Sequence, residues 1–346
     1  MKALKAATFK WPDKVISLAS ALASIGLISS IPLSSSAYEK NTNINNSNSH
    51  ELLSIATRLK TSEGQYSDIV EGAEKSIHWH HGVAQRTPIS IVYLHGFSAT
   101  HKELSPMTEK FAEKLGANVY YARLTGHGRT GDAMSEATVN AWKKDTSEAY
   151  RIGAKIGERV LLIGTSTGGT LSTWLSAQPL ADKLLANILI SPNFAVKSSG
   201  TWLLKNSVGL WFAKKISGEY RSFEPLNEFH AQYWTERYPI EALVPMLKLL
   251  DEVDDLDKST ITAPQLLVYS PDDKVVDIDK ALKTMKEFTS AKVSTKAFVT
   301  STDPSQHVLV GYGSSSAGRS NEDQVQEQVD NMLEFLLPYV EGLTHN

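Results

Sequence analysis

The segment Arg159-Val160-Leu161-Leu162-Ile163-Gly164-Thr165-Ser166-Thr167-Gly168-Gly169-Thr170-Leu171 leaves a chain few ways to fold. Four consecutive apolar residues, two of them β-branched, predict a buried strand, and the stretch from Gly168 through Trp174 and Leu175 predicts a helix leaving it. Only a very tight turn can join the two. Gly164 and Gly168 leave no Cβ where strand and helix nearly touch, which pushes Ser166 to the apex with its hydroxyl exposed and its backbone strained. A turn of this kind presents a nucleophile. A lone G-x-S-x-G also arises by chance, and it is the strand before and the helix after that give this one its weight.

Strand and helix alternate along most of the chain. Ile89 to Leu94 predicts a strand ending in His95-Gly96-Phe97, and a helix follows through Leu104, Met107, Phe111 and Leu115, with Gly116 as its C-cap. Val119 to Ala122 predicts a short strand running into the loop Arg123-Leu124-Thr125-Gly126-His127-Gly128. A helix carrying Trp142, Ala149 and Ile152 then leads to the opening segment, and Ile188 to Ile190 predicts the next strand. The rhythm returns with a strand over Gln265 to Tyr269, a helix near Ile278 to Phe288, a strand from Lys292 to Val299 and a last helix between Glu322 and Val340. Such alternation predicts an α/β fold, a mostly parallel central sheet with helices on both faces. The interruption from about Ala195 to Asp257 gathers Trp202, Trp211, Phe212, Phe223, Phe229, Tyr233 and Trp234 in segments that read as short helices with no strand between them. It predicts a helical cap inserted over the sheet, although ordinary helical core accounts for some of the same aromatics.

Composition matters for what it excludes. A net charge of −3 leaves no basic surface for nucleic acid, and the absence of cysteine excludes a disulfide framework, a thiolate zinc site and a lipidated N-terminal cysteine. Lys2, Lys5, Lys10 and Lys14 precede an uncharged run from Val15 to Ile31, and Ser35-Ser36-Ala37 follows Pro32. This is a signal-peptide pattern over residues 1–37 with cleavage after Ala37, which predicts a periplasmic or secreted protein. Left uncleaved, the same segment would tie the chain to a membrane. Residues 38–50, rich in asparagine and serine, read as a disordered spacer before a domain at 51–346. In Ile77-His78-Trp79-His80-His81, a strand would place His78 and His80 on one face and turn Ile77 and Trp79 to the core. With no carboxylate nearby to complete a metal site, the cluster reads as a solvated strand edge.

A serine hydroxyl is a poor nucleophile at neutral pH. It needs a base within hydrogen-bond reach, held in one tautomer by a carboxylate. His307 lies in the loop after the last predicted strand, and Asp273 lies just past the preceding one, at the edge where open α/β sheets place their sites; Asp272 beside it is an alternative acid. The N–H groups of Thr167 and Phe97 are candidate donors of an oxyanion hole. Asp303, four residues before His307, is near enough to contact it but reads as a solvated loop carboxylate.

The ordered set His95-Gly96-Phe97, Gly126-His127-Gly128, Gly164-x-Ser166-x-Gly168-Gly169, Asp273 followed by Val275-Val276, and late His307 resembles the α/β-hydrolase family over roughly Ile77 to Val340. Within it the chain is most similar to carboxylesterases, monoacylglycerol lipases and lysophospholipases. The resemblance implies Ser166 as nucleophile, His307 as general base and acid, and Asp273 as its orienter. It favours Asp273 over Asp272 because Asp273 stands three residues after the position usually taken by glycine, here Ser270. It also implies that residues 195–257 form the family's cap and that His95 and His127 support loop geometry. The activity implied is hydrolysis of a small apolar carboxylic ester through an acyl-enzyme, with no metal or organic cofactor. An acyltransferase or amidase with the same residues is the enzymatic alternative. A non-catalytic exported protein that binds an apolar ligand is the other.

Overall fold

Among the described residues the most apolar runs lie at the middle of a sheet, where both faces can be covered. The computed structural model describes residues 50–198, 200–315 and 321–344; the predicted signal or anchor segment and nearly all of the spacer lie outside the described residues. Among the described residues no helix is long and apolar enough to cross a membrane. One sheet contains β1 (Ser76–His78), β2 (Thr87–Leu94), β3 (Asn118–Tyr121), β4 (Gly157–Thr165) and β5 (Leu184–Ile190). The short pair β6 (Tyr220–Ser222) and β7 (Arg237–Pro239) lies outside it, and β8 (Gln265–Tyr269) and β9 (Val293–Ala297) complete it. The order is β1-β3-β2-β4-β5-β8-β9, parallel throughout except for β1, which runs antiparallel to β3 at the edge.

Side chains alternate across the central strands and feed two cores. From β2 and β4, Val92, Leu94, Val160 and Leu162 join one core with α1 (residues 50–63), α3 (Val139–Ile156) and α4 (Thr167–Ser176). Ile91, Tyr93, Leu161 and Ile163 face the other, covered by α2 (Met107–Leu115) and the last helix, Glu322–Thr344. The parallel α/β layering expected from the alternating pattern is therefore what forms. The predicted helix through Leu104 and Leu115 is divided into a 3₁₀ turn, His101–Leu104, and α2, whose C-cap is Gly116 in the left-handed region.

Two expectations need correction. The stretch between β5 and β8 contains α5 (Ser207–Ser217), α6 (Glu228–Tyr233) and α7 (Leu243–Asp254), but also the antiparallel ribbon β6–β7, in which Arg221 pairs with Tyr238. Short aromatic segments that look helical by composition can instead satisfy their backbone groups as a two-stranded pair. Nor is the whole stretch a cover. Met246, Leu247, Leu249, Leu250 and Val253 of α7 are buried in the core shared with α3 and α4. Phe229, Tyr233 and Trp234 are buried as well, whereas Trp211 and Phe212 on α5 are exposed. Second, β1 ends at His78, so His80 does not share a strand face with it; the His80 N–H is instead held by Asn118 Oδ1 at 3.0 Å.

Candidate active site

Ser166 sits between β4 and α4 with φ 50° and ψ −116°, a conformation that costs a non-glycine residue energy. The glycines around it show why the turn is possible. A Cβ on Gly164 would come within 2.5 Å of the Gly168 carbonyl oxygen, and one on Gly168 within 2.0 Å of that of Leu94. Neighbouring hydrogen bonds hold the strained residue in place. Its N–H donates to Ile190 O at 3.0 Å, and its carbonyl accepts from Gly169 at 2.9 Å and Asn193 at 3.0 Å.

The two other predicted side chains arrive from β8 and β9. His307 Nδ1 lies 2.8 Å from Asp273 Oδ2. The other oxygen, Oδ1, accepts the N–H groups of Val275 at 2.8 Å and Val276 at 3.0 Å, so the fully buried carboxylate is held from both sides. Asp272 is exposed and makes no such contact, so of the two adjacent acids it is Asp273 that the histidine ring meets. Burial pulls the His307 pKa down, but the hydrogen bond and charge of Asp273, with the charges of Asp303 and Glu103, outweigh it and leave it raised. No hydrogen bond joins Ser166 to His307 among the described residues. Such contacts often tighten only when substrate binds.

Asp303 departs from its reading as a solvated carboxylate. It is buried, and its Oδ2 accepts the N–H groups of His307 at 2.9 Å and Val308 at 2.8 Å, while Oδ1 accepts that of Ser305 at 2.9 Å. It builds the loop that carries His307. That loop is fastened to the loop of Asp273 through Lys274, whose N–H donates to Ser305 O at 2.8 Å and whose Nζ donates to Pro304 O at 2.7 Å. Lys197 adds a hydrogen bond from its Nζ to the carbonyl of Asp273. The Asx pattern Asp303-x-Ser305 was the available signal for Asp303; nothing local marks Lys197.

Phe97 N–H and Thr167 N–H, the two candidate oxyanion donors, donate to no protein acceptor among the described residues. Leu124 N–H donates to His95 Nε2 at 3.0 Å, which places the proton of that ring on Nδ1, where it is donated to Gly96 O at 2.9 Å. Burial pulls the His95 pKa down to about 4 and that of His127 well down too. Both rings therefore stay neutral, and that of His95 has no nitrogen left to act as a base. The Phe97 ring packs edge-on to His127, Trp142 and Tyr238, with centroids 5.7, 6.3 and 5.2 Å away. On the side of His307, Val308 and Tyr312 pack with Phe229, Tyr233 and Trp234. The surroundings of the site are thus apolar and aromatic.

Comparison with known proteins agrees with this architecture. Residues 86–301 match the family described as serine aminopeptidase, S33. A thermostable monoacylglycerol lipase of Bacillus sp. (strain H-257) is 31% identical over 93 residues, 27% of this chain; the match spans only 37% of that relative's length. Among solved structures, one from a study of the metagenome-derived lipolytic enzymes LipS and LipT aligns over 79% of this chain and 99% of its own. Its TM-score is 0.59 at 18% identity. A soluble variant of monoglyceride lipase from Saccharomyces cerevisiae, in complex with a substrate analog, aligns over 77% and 92%, with a TM-score of 0.53 at 12% identity. With its sheet order, its strained Ser166 turn and a family match over well more than half its length, the chain belongs to the serine aminopeptidase S33 family of α/β-hydrolases.

Proposed function

We propose that this chain is a serine esterase of the lipase type, acting on small apolar carboxylic esters through an acyl-enzyme. The observation that carries the reading is a convergence at the C-terminal ends of parallel strands. There the β4–α4 turn holds a strained Ser166 that is buried rather than exposed as the turn alone predicts, the loops after β8 and β9 hold an Asp273-bound histidine, and the N–H groups of Phe97 and Thr167 donate to no protein acceptor among the described residues. In the first half-reaction Ser166 Oγ attacks the ester carbonyl as His307 Nε2 takes its proton. The N–H groups of Phe97 and Thr167 receive the charge that develops on the carbonyl oxygen, and the imidazolium returns the proton to the leaving alcohol. Water, deprotonated by the same histidine, then releases the acid. The aromatic surroundings of Phe97 and Trp234 favour an apolar acyl or alcohol portion, and the monoacylglycerol lipase relative, matched over part of its length, supports the same substrate class.

Labelling with a serine-directed phosphonate, located by peptide mass spectrometry, together with turnover across esters of increasing acyl length and monoacylglycerols, tests the reading. Label confined to Ser166 and measurable ester turnover are expected; a folded protein that takes no label and cleaves no ester would overturn it. Products formed with an added alcohol separate hydrolysis from acyl transfer. Replacing Asp273 with asparagine should lower kcat by roughly 10⁴-fold, because the amide stabilises the wrong imidazole tautomer while nearly preserving shape. Steady-state kinetics at the plateau pH check this, and a fall of less than about tenfold would remove Asp273 from the role.

A further inference from the structure

The reaction just described leaves one buried acid beside the site without a task. Glu103 lies in the 3₁₀ turn after the His95-Gly96-Phe97 loop and is 2% exposed. Its Oε1 accepts the Tyr93 hydroxyl at 2.5 Å and the Gly96 N–H at 2.7 Å. Tyr93 ends in turn 3.1 Å from the hydroxyl of Thr165, the residue before Ser166. The second oxygen, Oε2, and the Cβ of Ser166 flank Gly96 so closely that a Cβ added there would sit 3.0 Å from one and 3.2 Å from the other. The acid therefore lies against both the oxyanion loop and the serine turn.

The backbone between them is clamped from two directions. Glu103 holds the N–H of the His95–Gly96 peptide, and His95 holds the carbonyl of the next peptide, Gly96–Phe97, whose other end is the Phe97 N–H. Rotation of that second peptide would aim the donor away from the oxyanion. The groups facing His307 are Asp273, Asp303 and Glu103, all acidic; those facing Glu103 are the Tyr93 hydroxyl, the Gly96 N–H and His307, with Glu109 beyond Tyr93.

We propose that Glu103 is a positioning residue of the reaction: its carboxylate fixes the oxyanion loop from beneath and sets a negative charge against His307. This rests on the serine-esterase reading above. Burial pushes the Glu103 pKa up to about 7 while its two hydrogen bonds and His307 pull it down, so its charge is present above that pH and lost below it. The acid limb of the activity then belongs to Glu103 and His307 together.

The test compares the wild type with E103Q and E103A, using the pH dependence of kcat/KM and the split between kcat and KM. Glutamine keeps an acceptor for Tyr93 and Gly96 but removes the charge that favours the imidazolium. The acid limb of E103Q is therefore expected to move to lower pH by about half a unit or more, with kcat above the limb at least partly restored relative to E103A. In E103A the loop loses its clamp, and kcat is expected to fall about 10²-fold with KM little changed. An unmoved limb in E103Q, or wild-type kcat in E103A, overturns the proposal. Phosphonate labelling and thermal unfolding of each variant establish folding, and E103Q alone carries the test if E103A does not fold. Failure of the underlying reading looks different, since the wild type itself would then cleave no ester and take no label.

Discussion

S166A is expected to lose ester turnover by a factor on the order of 10⁶, with its fold and its affinity for apolar esters intact. On the esterase reading the loss is this large because the oxygen that would carry the acyl group is itself removed, and the His95 and His127 rings are fully buried and offer no substitute. The residual rate should come from the oxyanion donors and from substrate binding. The substitution removes no protein hydrogen bond of the Ser166 side chain among the described residues, and alanine is no more strained than serine at φ 50°. A melting temperature within a few degrees of the wild type is therefore expected. Single-turnover kinetics with a chromogenic ester would show it, and a folded S166A protein with more than a per cent of wild-type turnover would mean that the acyl group is carried elsewhere.

The second large effect is on stability. Arg123 and Glu63 are both buried and pair through two hydrogen bonds, Nε to Oε2 at 2.6 Å and Nη2 to Oε1 at 2.9 Å. Arg123 Nη1 also donates to the His127 carbonyl at 3.1 Å, the Tyr66 ring lies 5.1 Å from the guanidinium, and Glu63 Oε2 accepts the Lys75 N–H at 2.9 Å. The pair fastens the end of α1 to the loop that supplies the Leu124 N–H to His95. Removing one partner strands a charge in a site built for two, so R123M is expected to cost about 3–5 kcal/mol in urea unfolding. Pairing it with E63L should recover much of that loss, because an apolar pair leaves no charge unmet. A single variant within about 1 kcal/mol of the wild type would show that water reaches the pair. Because that loop also steadies His95, the kcat of R123M should fall together with its stability.

How much of this was legible in the chain depends on distance along it. Gly164, Ser166 and Gly168 lie within five residues, so the steric argument for their turn needs no knowledge of the rest of the fold. The strands β2, β4, β5 and β8 were legible because burial on both faces demands apolar runs, and these runs are bounded by glycine, proline and polar residues. The ribbon β6–β7 was not, because three-residue strands carry no period and owe their state to each other. Asp303 was misread as solvated because its partners, the N–H groups of His307 and Val308, are backbone groups that no side-chain pattern announces. Glu103 gave no signal either. An acid two residues into an exposed-looking turn is ordinary until the Tyr93 hydroxyl and the Gly96 N–H are found to converge on it.

By itself, the sequence determined the alternating α/β layers and the turn at Ser166, because apolar periodicity and the absence of Cβ atoms act over a few neighbouring residues. It also placed Asp273 and His307 after successive strands. Only the tertiary structure decided which of two adjacent aspartates turns to the histidine, which part of the segment from Ala195 to Asp257 is core, and which buried acid lies under the His95-Gly96-Phe97 loop. Those outcomes depend on groups tens of residues apart whose desolvation must be met by one another, and that requirement exists only once the chain has closed around them.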